Sequence, residues 1–321
     1  MDYTLSIIIP IYNVENYICE CLDSVFSQID KSVEVIIIND DTPDNSIEII
    51  KSQYSNWINK DQIILLEQKH LGPGAARNNG LAIARGKYIG FLDSDDILLP
   101  GYFNEILSII NQYNAEIIQF HFKRFTNISN IENNNITRAH SSNGFFGLNT
   151  VRNEIFSFGS WFPCIRVFKK GVFNDIIFKE QVFYEDLMTI PFIFMEEYNI
   201  YLLDSALIGY RYNPISTTSV HTESQAYSLL DFYLTLVDMD ETVSINILKI
   251  HVARSISYFY SELSLVNFPI NKVLNNLKNI KPDKKLLKNI KYPDFLFFRF
   301  TSLYMILNKF RILLKMALHI R

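Results

Sequence analysis

Cysteine is scarce in this 321-residue chain, and the three present, Cys19, Cys21 and Cys164, show no metal-ligand spacing and cannot all pair with one another. Neither a disulfide framework nor a zinc site is expected, and the three read as ordinary thiols. Long apolar runs are missing too: 48% of the residues are hydrophobic, yet no run reaches the roughly eighteen needed to cross a bilayer. The chain is expected not to span a membrane. Its start, Met1-Asp-Tyr-Thr-Leu, lacks the basic residues of a signal peptide, and Pro10 breaks the apolar run that follows, so the expected location is cytoplasmic. What composition does allow is a large core, in one large or two ordinary domains.

Charge is present but uneven. The net charge is −4, whereas residues 278–321 hold eleven Lys or Arg against Asp283 and Asp294, a net of +9 that leaves −13 on the residues before them. Such asymmetry predicts an anionic partner for the tail. No nucleic-acid partner is expected.

The most informative stretch is Gly86-Lys-Tyr-Ile-Gly-Phe-Leu-Asp-Ser-Asp-Asp96, an apolar strand that ends in three carboxylates, Asp93, Asp95 and Asp96. Ligands of open α/β sheets collect at the carboxyl ends of the strands. Adjacent carboxylates repel strongly in a low dielectric unless a cation or hydrogen-bond donors offset them, and oxygen-rich acidic clusters suit Mg²⁺ or Mn²⁺. A solvated turn that caps a following helix is the competing reading of the same residues.

The first hundred residues alternate strand and helix, the pattern of a parallel sheet. Residues 5–9 read as a buried strand ending at Pro10, and Asn16 as a cap for a helix carrying Ile18, Leu22, Val25 and Phe26. Residues 33–38 form a second apolar strand that also runs into acid, Asn39-Asp-Asp-Thr-Pro-Asp44. A helix over 46–54 and a strand over 62–66 follow, then a glycine-rich loop, His70-Leu-Gly-Pro-Gly74, feeding a helix. That loop lacks the Gly-Lys-Ser/Thr ending of a phosphate-binding loop and does not match a dinucleotide fingerprint.

Four motifs in this order, Ser6-Ile-Ile-Ile-Pro-Ile-Tyr-Asn13, Val35-Ile-Ile-Ile-Asn-Asp-Asp-Thr-Pro-Asp-Asn-Ser46, Gly72-Pro-Gly-Ala-Ala-Arg-Asn-Asn-Gly80 and Phe91-Leu-Asp-Ser-Asp-Asp96, resemble those of family 2 glycosyltransferases. The resemblance implies a GT-A fold: α/β, Rossmann-like, with a mostly parallel central sheet flanked by helices. It implies an inverting transfer from a nucleotide sugar, with Mn²⁺ or Mg²⁺ as cofactor. By the same resemblance Pro10, Tyr12 and Glu15 line the nucleoside pocket, Asp40 meets the uracil, and Arg77 lies near the diphosphate. Asp93, with Ser94, faces the donor and Asp95 ligates the metal. Asp41 departs from the pattern, standing where Gly is usual.

Farther on, residues 102–113 read as a helix and 116–122 as a strand, while the Asn-rich stretch 127–143 reads as a loop or disordered excursion. Trp161 is a core residue or a sugar platform. In Phe183-Tyr-Glu-Asp-Leu-Met-Thr-Ile-Pro-Phe192 an acidic pair precedes an apolar run, which residues alone allow as helix capping. The family has a Glu-Asp pair here, and the resemblance implies that Asp186, beside Glu185, is the general base. After a strand over 201–209, Arg211 and His221 are candidates for holding diphosphate or metal. The Gln-x-x-Arg-Trp motif of processive synthases is absent, which favours transfer of a single sugar.

Residues 226–237, 243–266 and 270–277 read as helices. In residues 295–321 the polar positions Thr301, Tyr304, Asn308, Arg311, Lys315 and His319 recur every three or four residues. That pattern fits a helix lying on an anionic membrane surface or one packed on the catalytic domain. The expected layout is a GT-A catalytic domain over 1–215, nucleotide-sugar binding in about 1–100 and the acceptor side in about 101–215, then a helical, basic region over 216–321. The expected partners are a UDP-sugar donor, a glycan or lipid-linked saccharide acceptor in capsule, O-antigen or lipooligosaccharide synthesis, and the inner face of the cell membrane. A nucleotidyltransferase and a noncatalytic sugar-nucleotide-binding protein of the same fold are the alternatives.

Overall fold

The computed structural model describes residues 3–58, 62–213 and 222–263. The expectations for His221 and for everything from 264 onward, including the C-terminal helix, lie outside the described residues. The chain divides into two compact units, residues 1–213 and 214–321.

In the first unit the elements run β1 (Leu5–Ile11), α1 (Ile18–Phe26), β2 (Val33–Asn39), α2 (Ser46–Gln53), α3 (Ser55–Ile58), β3 (Ile63–Glu67), α4 (Pro73–Ile83), β4 (Tyr88–Phe91), β5 (Ile97–Leu98) and α5 (Tyr102–Gln112). They continue with β6 (Ile117–Phe125), β7 (Ile136–Thr137), β8 (Gly144–Gly147), α6 (Leu148–Phe158), β9 (Arg166–Lys169), α7 (Ile190–Ile193) and β10 (Asn199–Arg211). One ten-stranded sheet has the order β3-β2-β1-β4-β9-β6-β10-β5, with β7 on β6 and β8 on β10. The half made by β3, β2, β1 and β4 is parallel, as the continuous apolar runs predict. The other half is mixed: β9 is antiparallel to both β4 and β6, and β10 is parallel to β6 but antiparallel to β5 and β8. The sheet is therefore less uniformly parallel than the sequence pattern predicts.

Several local expectations change for identifiable reasons. β1 continues through Pro10 to Ile11, because Pro10 lies past the last register pair with β4, Ile8 with Phe91, where no ladder needs its missing N–H. The cap of α1 is Tyr17 rather than Asn16, and it makes no side-chain capping bond. Asp96 caps no helix, since β5 follows it and pairs with β10. The Asn-rich stretch is ordered against β6: a 3₁₀ turn spans Ile128–Asn133, Lys123 Nζ donates to the carbonyls of Ile131 and Glu132, and Asn134 Nδ2 donates to the Arg124 carbonyl. Ile131 is buried with Ile97, Leu99 and Phe125.

In the second unit α8 (Glu223–Val237) opens on a capping box between Thr222 and Gln225, and α9 (Val243–Leu263) packs on it. Ala226, Leu229, Phe232, Tyr233 and Leu236 are buried on the first, Ile245, Leu248, Val252 and Ile256 on the second, at helical spacing. Among the described residues no helix is long and apolar enough to cross a membrane.

Close contacts hold the layers in register. A Cβ on Gly80 of α4 would sit 2.5 Å from Ile8 Cγ2 of β1, so only glycine lets this helix lie so near the sheet. At the amino end of the strands, Glu34 is fully buried in β2, accepting from Ser6 Oγ at 2.6 Å and from the Arg85 backbone N–H and Nε at 2.6 and 2.7 Å. A lone buried carboxylate would be costly, and these three donors offset it. Glu34→Ala strands the buried hydroxyl and amide, and is expected to lower the unfolding free energy by about 1 to 3 kcal/mol in urea titrations.

Candidate active site

The parallel strands and β10 deliver their chemistry at their carboxyl ends. Beyond β1, Tyr12 is 45% exposed and stacks on His70, ring centroids 4.2 Å apart at 24°. An exposed aromatic pair of this kind suits the flat face of a base. Pro10 is half-buried beneath it. Glu15 Oε2 accepts from the Asn45 backbone N–H and side-chain amide at 3.0 and 2.9 Å, tying the β1 loop to the start of α2.

Asp40, at the end of β2, is only 2% exposed. Its Oδ1 accepts from Gln68 Nε2 at 2.6 Å and the Leu71 N–H at 2.9 Å, its Oδ2 accepts from the Gly72 N–H at 3.0 Å, and His70 Nδ1 lies 3.0 Å from that same oxygen. The carboxylate clasps the loop that starts α4 and so holds the side of the expected nucleoside pocket in place. Gly72 has φ +87°, a value L side chains rarely adopt. Asp41 has φ +57°. The usual glycine at this position is explained by that left-handed backbone, which Asp tolerates better than most residues.

From α4, Arg77 was expected beside the diphosphate. Its side chain is 4% exposed, with Nη2 2.8 Å from Asp93 Oδ1 and Nη1 bonded to Glu185 Oε1. The guanidinium also lies over the Phe178 ring, 5.4 Å from its centroid. It joins the acid-ended strand to the acidic pair a hundred residues later. Close packing supports the link: a Cβ on Gly74 would meet the Lys179 carbonyl oxygen at 2.1 Å, and Asn78 exchanges hydrogen bonds with both backbone groups of Phe178 at 2.9 Å.

At the end of β4, Ser94 is buried between half-buried Asp93 and Asp95. Asp95 Oδ2 accepts from Asn213 Nδ2 at 3.0 Å. Asp96 is 2% exposed; one oxygen accepts from the Arg211 N–H at 2.7 Å, and the other has no hydrogen-bond partner. Burial raises the pKa of both acids, Asp96 well above its ordinary value because Asp95 and Asp93 add repulsion. Ligand atoms of Asp93, Asp96 and Cys164 all lie within 4.8 Å of one another. The Cys164 thiol thus lies beside the acids, and it is pushed up by burial and by those two acids. An orphaned carboxylate oxygen in a group of acids fits a divalent cation, with Asp95 beside it.

Glu185 is buried in its Arg77 pair, while Asp186 is half-buried and accepts from the Leu187 N–H at 2.7 Å. Burial first, then repulsion from Glu185, pushes Asp186 up to about 7, against the opposing pull of Arg77.

Two candidates take structural roles. Arg211 is buried across the back of the acid turn: its Nε donates to the Asp95 carbonyl at 2.7 Å, its Nη2 pairs with Glu20, and it stacks over Phe125. Trp161 is 4% exposed, edge-on to Phe156 at 4.7 Å and to Phe194 at 5.9 Å, so its faces are core rather than a sugar platform. His70, Cys164 and Asn213 are site residues that sequence reasoning missed. His70 stood in a quoted motif, which was a signal, whereas Cys164 and Asn213 arrive from distant segments.

GlyA of Streptococcus pneumoniae serotype 4, a glycosyltransferase, is 28% identical over 237 residues, covering 72% of this chain and 34% of GlyA. GgaB of Bacillus subtilis, a minor teichoic acid biosynthesis protein, is 28% identical over 246 residues, 74% of this chain and 27% of GgaB. The chain thus spans about a third or less of the length of these relatives. The solved structure of S. aureus TarS in complex with UDP-GlcNAc superposes with a TM-score of 0.66 at 18% identity, covering 98% of this chain and 92% of that one, a shared fold. The family model for glycosyl transferase family 2 matches residues 6–177, more than half of the 321, and the chain belongs to that family.

Proposed function

We propose that this chain transfers one hexose or N-acetylhexosamine from a UDP-sugar to a hydroxyl of a glycan acceptor, with inversion and with Mn²⁺ or Mg²⁺. The observation that carries this reading is Asp186, a carboxylate whose pKa of about 7 suits a base at neutral pH, linked through Glu185 and Arg77 to the acids of β4. Inversion needs a single displacement. Asp186 takes the proton of the acceptor O–H as that oxygen forms its bond to the anomeric carbon, and the bond from that carbon to the phosphate oxygen breaks with the electron pair leaving on UDP. A cation held by Asp95 and the neighbouring strand-end acids would supply charge stabilisation for the departing diphosphate. Arg77 holds Glu185 in a buried pair, so that the peptide carrying Asp186 is presented in one place. Tyr12 and His70 offer the base a stacking surface.

TarS, solved with UDP-GlcNAc, supports a UDP-sugar as donor, and GgaB, named for teichoic acid biosynthesis, supports a bacterial surface polysaccharide as the setting. Capsule, O-antigen and lipooligosaccharide belong to the same chemical class of acceptor.

Asp186→Asn should lower transfer by about 10² to 10⁴-fold while UDP affinity by calorimetry stays within about twofold. Near-normal turnover would place the base elsewhere. Because the base must be deprotonated, and its pKa is raised to about 7, kcat should fall about tenfold per pH unit below that value and level off above it. Asp95→Ala should remove the Mn²⁺ dependence of UDP binding, whereas an unchanged dependence excludes Asp95 as a ligand. Arg77→Met leaves Asp93 and Glu185 without their cation and should cost about 3 kcal/mol or more in denaturant unfolding, with Arg77→Lys a poor rescue because one ammonium cannot reproduce the two-pronged bond.

A further inference from the structure

Beside the acid cluster lies a second feature that the proposed chemistry does not use. β6 and β10 run parallel with Arg124 opposite Tyr210, so Phe122, Arg124 and Tyr210 share one face near the carboxyl ends of both strands. The Arg124 guanidinium lies over two rings, 5.5 Å from the centroid of Phe122 and 5.3 Å from that of Tyr210. Phe162 completes the shelf, 5.8 Å from Phe122 and 5.1 Å from Tyr210. The shelf adjoins the candidate active site: Cys164, two residues after Phe162, belongs to the group with Asp93 and Asp96, and those two acids push the Tyr210 phenol upward after burial does.

Among the described residues Arg77, Arg85, Arg138 and Arg211 each face a carboxylate. Buried Arg166 donates to Gln119 and to the carbonyls of Phe162 and Ser160. Arg124 is different: its side chain is exposed, no ion pair or side-chain hydrogen bond engages it among the described residues, and its guanidinium lies over two aromatic rings. A guanidinium stacked in this way has already lost much of its rotamer freedom, and its planar fork of donors matches an oxyanion in two-pronged fashion. Phe122 anchors it from within the core, and the half-buried Phe162 and Tyr210 rings beside it suit the apolar face of a sugar.

We propose that Arg124, on the shelf of Phe122, Phe162 and Tyr210, binds an oxyanion carried by the acceptor saccharide, a phosphate or a carboxylate, and so selects an anionic class of acceptor. This inference rests on the glycosyltransferase reading for the statement that the ligand is the acceptor. The Asp93, Asp95 and Asp96 carboxylates would repel an anionic acceptor that lacked such a partner, which gives an exposed cation at this edge a positioning role.

The test is binding without turnover. Saturation-transfer NMR titrations on the full chain, with UDP present to fill the donor site, use three probes: N-acetylglucosamine 1-phosphate, glucuronate and neutral methyl glucoside. At least one anionic probe is expected to bind about tenfold tighter than the neutral one, with the preference weakening as salt is raised. Arg124→Gln should erase that preference and Arg124→Lys keep part of it, with melting temperature and UDP affinity unchanged in both, since the side chain is exposed. A phosphate-only or carboxylate-only preference identifies the source of the oxyanion. Equal binding of all three probes, or a preference that survives Arg124→Gln, overturns the proposal. Failure of the glycosyltransferase reading would show separately, as no turnover of any UDP-sugar donor.

Discussion

The two-sided bond of Arg77 is the constraint around which this end of the protein is arranged. One guanidinium, 4% exposed, holds Asp93 from the end of β4 and Glu185 from a loop more than ninety residues later. Burying three charges is favourable only when geometry and hydrogen bonding are good, and the surroundings provide both. α4 must approach the 178–185 segment closely enough for Arg77 to reach Glu185. Glycine at 74 permits that approach, and Asn78 fastens the same segment by its backbone. On its opposite side the helix lies against Ile8 through Gly80. A helix with so little side-chain bulk gains modestly from propensity, so its place is determined by these contacts.

Around that bond, carboxylates outnumber cations. Glu20, Asp93, Asp95, Asp96, Glu185 and Asp186 converge on Arg77 and Arg211, with Arg166 buried behind them. The acids answer the shortage in different ways. Glu185 and Asp93 are paired. Asp95 and Asp96 have their pKa values raised by burial, and Asp186 is brought to about 7. Asp96 also keeps one oxygen without a partner. This imbalance is the physical reason for proposing a divalent cation here, because a cation would relieve repulsion that protonation relieves only in part.

Legibility in the sequence followed the range of the interactions. β1, β2, β3 and β4 were readable because a strand covered on both faces is a continuous apolar run, and α5 and α8 because their apolar spacing is local. The Asn-rich stretch 127–143 reads from sequence as a loop or a disordered excursion, and which of the two it is comes from Lys123, Asn134 and the burial of Ile131, contacts invisible to composition. The same holds at the site. Asp93, Asp95, Asp96 and Asp186 stood in recognisable motifs, but the direction each faces is tertiary. Asp40 spends its oxygens on the 68–72 loop, Arg211 on the acid turn, and Trp161 on Phe156 and Phe194. Cys164 escaped because a donor set drawn from β4 and a 3₁₀ turn seventy residues on has no sequence spacing.

The buried contacts share a direction, and it bears on how the site is held. Asp40, Arg77 and Arg211 are buried and bonded to backbone or to other residues of the candidate site. Asp40 fixes the amides of Leu71 and Gly72, which begin α4; Arg77 leaves the second turn of that helix for Asp93 and Glu185; Arg211 closes the turn that carries Asp95 and Asp96. The nucleoside end, the acid cluster and the segment bearing Asp186 are therefore attached to one short helix and one strand end. Groups that act on a transferring sugar must hold their places within fractions of an ångström, and side chains whose own positions are over-determined by packing and charge meet that demand better than exposed ones. In this arrangement buried charged residues hold the segment of Asp186 and the acids of β4 in place, which is what the proposed transfer would require of them.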